Sequence, residues 1–322
     1  QHSLCKPMST SMQNPEKILY RLDWTVIRRL DGLLQGDYRT LFHGFGLDLA
    51  DLREYQFTDD IRYIDWNVTA RMQTPYIRQY VEDREVTAWF LLDLSPSVDF
   101  GTVHTLKRNL LIDFVTVLAR LLTRHGNRVG AILYSGKVER LIPAQGGKPH
   151  VLRLIHDLLN QPQMKHAPPT NLTELLNTAL RTIRRRSLVF IVSDFISMPG
   201  WDKPLGMLTQ RHEVLAIRLY DPREIELPNI GLQILEDSET GEQLYIDTGD
   251  KRFRKRFLEA AHQREYELRV AFHRAGADSV VLSTEDDLVK EILRFAILRK
   301  QRRKAPAAFA KSPNHAFSPQ LS

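Results

Sequence analysis

Five short runs of Val, Ile and Leu constrain the fold of this chain more than any other feature of its sequence. They do not alternate strictly between apolar and polar residues, as expected of strands that are covered on both faces. Amphipathic helical patterns lie between them, for example over 110–121 and 172–183. The five runs lie at 86–92, 129–134, 188–193, 214–219 and 279–282. This alternation predicts an α/β fold with a mainly parallel sheet flanked by helices.

Other patterns predict the remaining elements. Residues 137–142 follow the second run after a Ser-Gly turn, too closely for a crossover helix, so they predict an antiparallel edge strand. Residues 232–246, with a Thr-Gly pair in their middle, predict a hairpin. Helical patterns over 250–275 and 285–299 complete the predicted fold, and 24–34 predicts one helix upstream of the sheet.

The chain divides by composition into four predicted regions. They are a flexible lead (1–15), an N-terminal module (16–85), the main α/β domain (86–298) and a basic disordered tail (299–322). The tail holds six basic and no acidic residues, and subtracting six from the net charge of +6 leaves the rest of the chain neutral. The excess charge therefore indicates a solvated chain end and disfavours nucleic acid as the main partner.

Three features predict the compartment. No apolar stretch approaches the roughly 18 residues that would indicate a membrane span. Residues 1–15 are polar and lack the layout of a secretory signal. The single cysteine, Cys5, can form neither an internal disulfide nor a cysteine-based zinc site, which fits a reducing environment. We therefore expect a cytoplasmic protein without a membrane span.

Polar side chains follow two of the predicted strands, at the edge where open α/β sheets bind ligands. Asp93, Ser95 and Ser97 form a DxSxS pattern directly after the first strand. Asp194 ends the strand at 188–193, and Thr170 precedes a helical pattern. Hydroxyls with few carboxylates are hard oxygen donors that suit Mg²⁺, with Mn²⁺ as an alternative. The pattern predicts a metal site.

Turn chemistry is the competing interpretation of the same residues. Thr170 or Asn171 could cap the following helix, with Glu174 completing a capping box. Asp194 could cap a turn, and the two serines could satisfy backbone amides of their loop.

Two sets of residues in this sequence resemble known families. Asp93, Ser95, Ser97, Thr170 and Asp194 resemble the metal-ion-dependent adhesion site (MIDAS) of von Willebrand factor A domains. Residues 55–71, YQFTDDIRYIDWNVTAR, resemble the signature of a bacterial family catalogued as domain of unknown function 58. Its members carry a von Willebrand A-like domain and often accompany MoxR-type AAA+ ATPases. The sequence departs from the family pattern at Thr58, where Gly is usual, and at Val98, where Met is common, and neither change removes a ligand.

The resemblance implies a non-enzymatic binding module with a von Willebrand A-like, Rossmann-like fold. Asp93 and Asp194 would hold the ion largely through water. Ser95, Ser97 and Thr170 would coordinate it directly, and an open position would accept an Asp or Glu of a protein partner, with a MoxR-type ATPase as the implied associate. A cation with few anionic ligands stays net positive, which independently favours an acidic partner. The membrane helices of many family members are absent from this sequence, so membrane association is not carried over.

A second cluster lies in the N-terminal module. Between residues 51 and 85 the basic residues are all Arg, which favours bidentate pairing with carboxylates in a packed joint. We expect this joint to fasten the module to the main sheet, with Trp66 as an anchor. The predicted joint residues are Asp59, Asp60, Arg62, Asp65 and Arg71.

The resemblance thus implies an adaptor that works with a MoxR-type ATPase, and two other functions compete with this prediction. One is a metal-dependent phosphohydrolase or nuclease that uses Asp93, although such chemistry usually needs more than one carboxylate near the ion. The other is nucleic-acid binding through the tail and the basic cluster at 251–256. Dinucleotide, phosphate-loop, zinc-protease and hydrolase-elbow motifs all fail on spacing, so the sequence predicts no catalytic residue.

Overall fold

The computed structural model describes residues 14–33, 52–56, 59–78, 86–101, 105–162, 168–236 and 241–294. The strands are β1 (Leu52–Glu54), β2 (Tyr76–Arg78), β3 (Thr87–Asp93), β4 (Arg128–Tyr134), β5 (Val138–Gln145), β6 (Leu188–Ser193), β7 (Glu213–Tyr220), β8 (Leu232–Glu236), β9 (Gln243–Asp247) and β10 (Asp278–Ser283). The helices are α1 (Pro15–Leu22), α2 (Arg28–Leu33), α3 (Trp66–Met72), α4 (Lys107–Arg124), α5 (Lys148–Leu159), α6 (Leu172–Thr182), α7 (Asp202–Arg211), α8 (Lys251–Ala275) and α9 (288–294). The predicted tail, and the predicted lead up to residue 13, lie outside the described residues.

One six-stranded sheet organises the molecule, in the order β10-β7-β6-β3-β4-β5. Every neighbouring pair is parallel except β4 and β5, which are antiparallel. The five predicted strands and the predicted antiparallel edge strand are therefore confirmed, but β10 lies at the opposite edge of the sheet and is only partly buried, so it is not a central strand. Counting from β3, the order is the 3-2-1-4-5-6 of doubly wound folds, and it reverses between β3 and β6. The carboxyl ends of these two strands define the position where such folds bind ligands.

The sheet has a hydrophobic core on each face. Along β3 the side chains alternate, so that Phe90 joins the first core and Leu91 the second. Phe90 stacks on Phe190 of β6 with ring centroids 5.1 Å apart. Helices α4, α5 and α9 cover the first core, and α6, α7 and α8 cover the second. Burial on both faces explains why these strands are apolar throughout.

The N-terminal helix begins earlier than the sequence indicates. Residues 15–33 are helical throughout, with a π-helical turn over Asp23–Ile27. The Asn14 side chain accepts a hydrogen bond from the amide of Glu16 at 2.9 Å, and Pro15 opens the helix. Leu19 and Ile27 are buried in the first core. The helix thus packs directly on the main sheet's core, and the domain boundary at residue 85 stays a prediction.

The smaller elements follow the predictions in part. Strands β8 and β9 pair antiparallel, which confirms the predicted hairpin, although its turn lies outside the described residues. Strands β1 and β2 also pair antiparallel in the N-terminal module. α9 begins at 288 instead of 285, because a turn follows β10 and the carboxylate of Asp286 accepts a hydrogen bond from the amide of Ser283 at 2.8 Å. Within the described ranges, no helix has both the length and the apolar character needed to cross a membrane.

Candidate functional site

The five predicted metal ligands lie at the carboxyl edge of the sheet, on both sides of the switch point. Asp93 is the last residue of β3, and the two serines follow in the loop and 3₁₀ turn after it. Asp194 comes directly after β6, and Thr170 lies two residues before α6. All five side chains are buried. The sheet topology therefore explains how three separated segments supply one edge.

Asp93 is a fully buried carboxylate whose described hydrogen-bond donors are all neutral. Its Oδ1 accepts from the amide of Ser95 at 3.0 Å, and its Oδ2 accepts from the hydroxyl of Ser193 at 2.6 Å. Burial, together with the nearby charge of Asp194, raises the pKa of Asp93 to about 6 even though these hydrogen bonds lower it. Ionised Asp93 is thus a buried negative charge that lacks an adjacent cation among its described contacts.

The two serines form a pair of hydroxyls beside this carboxylate. The Oγ atoms of Ser95 and Ser97 lie 3.1 Å apart, within hydrogen-bond distance of each other. Ser95 donates to Asp93 through its backbone amide at 3.0 Å, and a side-chain hydrogen bond from Ser95 also acts to lower the pKa of Asp93. Both the amide and the hydroxyl of Ser95 are therefore directed at this carboxylate.

Thr170 does not cap the helix that follows it. Asn171 is the N-cap of α6, and its Oδ1 accepts a hydrogen bond from the amide of Thr173 at 3.1 Å. The capping box that the turn interpretation offered is not formed, and the Glu174 carboxylate instead accepts from the amide of Val138 on β5 at 3.3 Å. The carbonyl of Thr170 accepts hydrogen bonds from the loop after β6, from the amide of Met198 and the hydroxyl of Ser197, both at 2.9 Å. Thr170 is thereby fixed to the loop that carries Asp194.

Asp194 takes part in an ion-pair network that the sequence analysis did not predict. Its Oδ2 lies 2.9 Å from the Nζ of Lys107, which lies 2.5 Å from an Oε1 of Glu224. Burial would raise the pKa of Asp194, but Lys107 and Arg218 outweigh it and the pKa is lowered. Burial would lower the pKa of Lys107, but Asp194 and Glu224 outweigh it and the pKa is raised. Asp194 is therefore ionised and already paired with a protein cation.

Asp194 also caps a turn, as the turn interpretation proposed, but this hydrogen bond is only one of its contacts. Its Oδ1 accepts from the amide of Ile196 at 3.0 Å, as a turn-capping carboxylate would. The next residue, Phe195, has a φ of 53° and donates its amide to the Ser193 hydroxyl at 2.8 Å. One hydroxyl thus holds both this strained turn and the Asp93 carboxylate.

The donor set fits a hydroxyl-rich cation site. In the part of the chain that the structure describes, no group of three His, Cys, Asp or Glu residues is arranged to hold a metal ion. An ion at this edge would therefore depend on serine and threonine oxygens, which Mg²⁺ accepts together with water. Asp93 supplies an anionic oxygen that gains from a cation.

Sequence reasoning missed Ser193, Lys107 and Glu224. Ser193 could have been noticed as a hydroxyl beside Asp194 at the same strand end. Lys107 and Glu224 are 117 residues apart in sequence, and only the fold brings them together. The one local signal is a lysine at the first position of a largely buried helix, an end that favours anions.

The predicted joint residues make local contacts. Arg62 pairs with Asp60 at 2.9 Å, and both side chains are exposed. Asp59 accepts from the amide of Gln56 at 2.8 Å, and Asp65 is the N-cap of α3. Arg71 lies in the last turn of α3 and is exposed. Fastening of the module to the main sheet by these residues stays a prediction.

Trp66, predicted as an anchor of that joint, is 67% exposed. It is the first residue of α3, and no residue of that short helix is buried. The side chain therefore does not anchor the module to the main sheet through its ring.

Comparison with known proteins identifies the family. The model of the family described as "Protein of unknown function DUF58" matches residues 51–267, which include the signature at 55–71. The chain belongs to this family. Uncharacterised proteins of Mycobacterium bovis and Mycobacterium tuberculosis are each 35% identical to this DUF58 chain over 285 residues, covering 88% of it and 89% of each relative.

Solved structures resemble this DUF58 chain at low sequence identity. An aerotolerance-related membrane protein from Bacteroides fragilis is 12% identical with a TM-score of 0.45, covering 67% of this chain and 99% of its own. The protein BatB from Bacteroides thetaiotaomicron is 14% identical with a TM-score of 0.43 and the same coverage. The strand order and the antiparallel edge strand give this DUF58 member a von Willebrand A-like fold, as predicted.

Proposed function

We propose that this DUF58 protein is a non-enzymatic interaction module that binds an acidic residue of a protein partner through Mg²⁺, or Mn²⁺, at the carboxyl edge of its sheet. The observation that carries the proposal is Asp93, a buried carboxylate with neutral hydrogen-bond donors beside the hydroxyl pair of Ser95 and Ser97. Ionisation of a buried carboxylate is costly unless a cation compensates it. A divalent ion would supply that compensation.

The roles of the individual residues in binding the ion would be those that the resemblance implies. Ser95, Ser97 and Thr170 would hold the ion directly, and Asp93 and Asp194 would orient its water. These residues supply few negative charges, and Lys107 already neutralises Asp194. The bound ion would thus retain positive charge, and an Asp or Glu of the partner would gain both a ligand bond and charge neutralisation.

The proposal also names a class of partner protein. We propose an adaptor that works with a MoxR-type AAA+ ATPase, which rests on the family resemblance alone. We also propose a cytoplasmic location, which rests on the cysteine content of the sequence. Capture of such an ATPase from a bacterial lysate should require Mg²⁺ and should fail with chelator.

Calorimetric titration with Mn²⁺ and Mg²⁺ tests the metal site. We expect binding by the wild type and a loss of at least about tenfold in affinity for Asp93→Asn, because the variant removes the anionic donor. Asp113→Asn is the matched control, since burial also raises the pKa of Asp113 to about 6 but its carboxylate pairs with Arg21 of α1. Equal affinity in the wild type and Asp93→Asn would contradict the proposal. Turnover of a phosphoester that Asp93→Ala abolishes would instead support the hydrolase alternative.

A further inference from the structure

We infer that the ammonium group of Lys107 is a resident counter-cation of Asp194, and that it weakens divalent-cation binding until a partner carboxylate arrives. This inference rests on the proposed function and adds a control on it. Lys107 would make occupation of the site conditional on the partner.

The position of Lys107 carries the first part of the inference. It is among the largest fully buried side chains of the protein, although lysine is rarely buried unless it is paired. It is also the first residue of α4, where the helix dipole disfavours a positive charge and no side chain caps the N-terminus. Both costs are offset mainly by its two ion-pair partners, so we attribute the placement of this charge to Asp194 and Glu224.

The geometry places the ammonium at one of the predicted ligands. Nζ of Lys107 lies 2.9 Å from Oδ2 of Asp194, and both side chains have no solvent exposure. Asp93 and Asp194 are close enough for their charges to interact. A divalent ion near both carboxylates would therefore approach a protein cation that is screened little by solvent. Lys107 lowers the attraction of the edge for the ion, and a carboxylate from a partner would restore it.

Glu224 gives the arrangement a second, opposing control. It lies in the 3₁₀ turn Pro222–Glu224 after β7, where it also completes a capping box with Asp221. Its Oε1 lies 2.5 Å from Nζ of Lys107, and its other carboxylate oxygen accepts from the amide of Asp221 at 3.3 Å. The negative charge of Glu224 partly neutralises the ammonium group of Lys107. Glu224 therefore reduces the repulsion between Lys107 and an incoming cation.

Substitutions of Lys107 and of its partner Glu224 should change Mn²⁺ affinity in opposite directions. Lys107→Met should bind Mn²⁺ alone more tightly than the wild type, by roughly ten- to a hundredfold, because one nearby positive charge is removed. Glu224→Gln should bind Mn²⁺ several-fold more weakly. Adding acetate as the carboxylate should raise Mn²⁺ affinity in the wild type and should raise it less in Lys107→Met.

Isothermal titration with Mn²⁺, with and without acetate, measures these affinities, and Lys148→Met is the matched control. Lys148 is likewise the first residue of a helix, α5, but it is exposed and outside the site. Its substitution should leave Mn²⁺ affinity unchanged. Because Lys107→Met leaves Asp194 buried without its adjacent ammonium group, the melting temperature of the variant in EDTA should fall, and Mn²⁺ should raise it more than it raises that of the wild type.

The outcomes separate this inference from the proposed function. Mn²⁺ binding by the wild type with unchanged or weaker binding by Lys107→Met would overturn the role of Lys107 and leave the metal-dependent module intact. Absence of Mn²⁺ binding in both proteins, with and without acetate, would overturn both. If Lys107→Met proves too unstable to titrate, stronger Mn²⁺ binding by Glu224→Gln than by the wild type would still overturn the inference.

Discussion

At the scale of single residues, the edge of the sheet combines two carboxylates in opposite electrostatic states. Asp194 has a buried ammonium beside it and a lowered pKa, whereas Asp93 has only neutral donors among its described contacts and a pKa raised to about 6, mainly by burial. The sequence predicted that both residues lie at this edge, because each follows an apolar strand. It could not predict their different states, because Lys107 and Ser193 act through contacts that only the fold creates.

The Ser193 hydroxyl should be important for the ionised form of Asp93. Ser193→Ala removes the 2.6 Å hydrogen bond to Oδ2 and leaves that oxygen without this donor. We expect the free energy of unfolding at neutral pH to fall by about 1.5–3 kcal/mol, as for a bond to a charged group. Chemical denaturation of the variant measures this change. An unchanged free energy of unfolding would show that the hydroxyl contributes nothing to the ionised state.

Metal affinity should depend on pH through Asp93. The ion needs the ionised carboxylate, and the pKa of this group without metal is raised to about 6 by burial and by Asp194. Mn²⁺ affinity should therefore be constant above about pH 7 and should fall as the pH drops through about 6. Titrations across this range test the sign of the dependence. Affinity that is level down to about pH 4 would show that protonation of Asp93 does not compete with the ion.

At the scale of elements, burial decided which predictions succeeded. The central strands were predictable because both faces of the sheet are covered, so their sequences are apolar throughout. The helix at 15–33 was predicted only from residue 24, because its first two turns carry exposed polar residues around a narrow apolar stripe. The capping residue at α6 was left open between two neighbours, and the backbone geometry selected Asn171.

The N-terminal helix should contribute to the stability of the main domain. Leu19 is 1% exposed in the first core, whereas the neighbouring Tyr20 is 72% exposed. We expect Leu19→Ala to lower the free energy of unfolding by about 2–5 kcal/mol, the usual cost of truncating a buried leucine. Tyr20→Ala should change it by no more than about 0.5 kcal/mol. Equal effects of the two substitutions would show that the helix is not packed on the core.

At the scale of the whole molecule, the doubly wound topology connects the sequence pattern to the proposed function. The strand order reverses between β3 and β6, so that Asp93 and Asp194 lie at the carboxyl ends of adjacent strands although they are 101 residues apart in sequence. The topology also brings the β7 loop, with Glu224, to the same edge. The sequence predicted that the candidate ligands lie at this edge of the sheet, but it did not predict the internal ion pairs that set the charge there.

Buried carboxylates should give the stability of the metal-free protein a characteristic pH dependence. Burial raises the pKa of Asp113 to about 6, so the folded state holds its proton more tightly than the unfolded state does. The contribution of this group to the free energy of unfolding should fall as the pH rises from about 4 to about 6, and stay constant above that. The difference between the wild type and Asp113→Asn at each pH isolates it. A difference that does not vary with pH would contradict the raised pKa.

The central claim is that Asp93, Ser95, Ser97 and Thr170 surround a divalent cation, and anomalous diffraction from crystals grown with Mn²⁺ tests it most directly. The predicted result is a Mn²⁺ peak between the loop after β3 and the loop before α6, within about 2–2.5 Å of the hydroxyl oxygens. Soaking the same crystals in chelator should remove it. An anomalous map from crystals grown with saturating Mn²⁺ and an acidic ligand that shows no peak at this edge would contradict the claim.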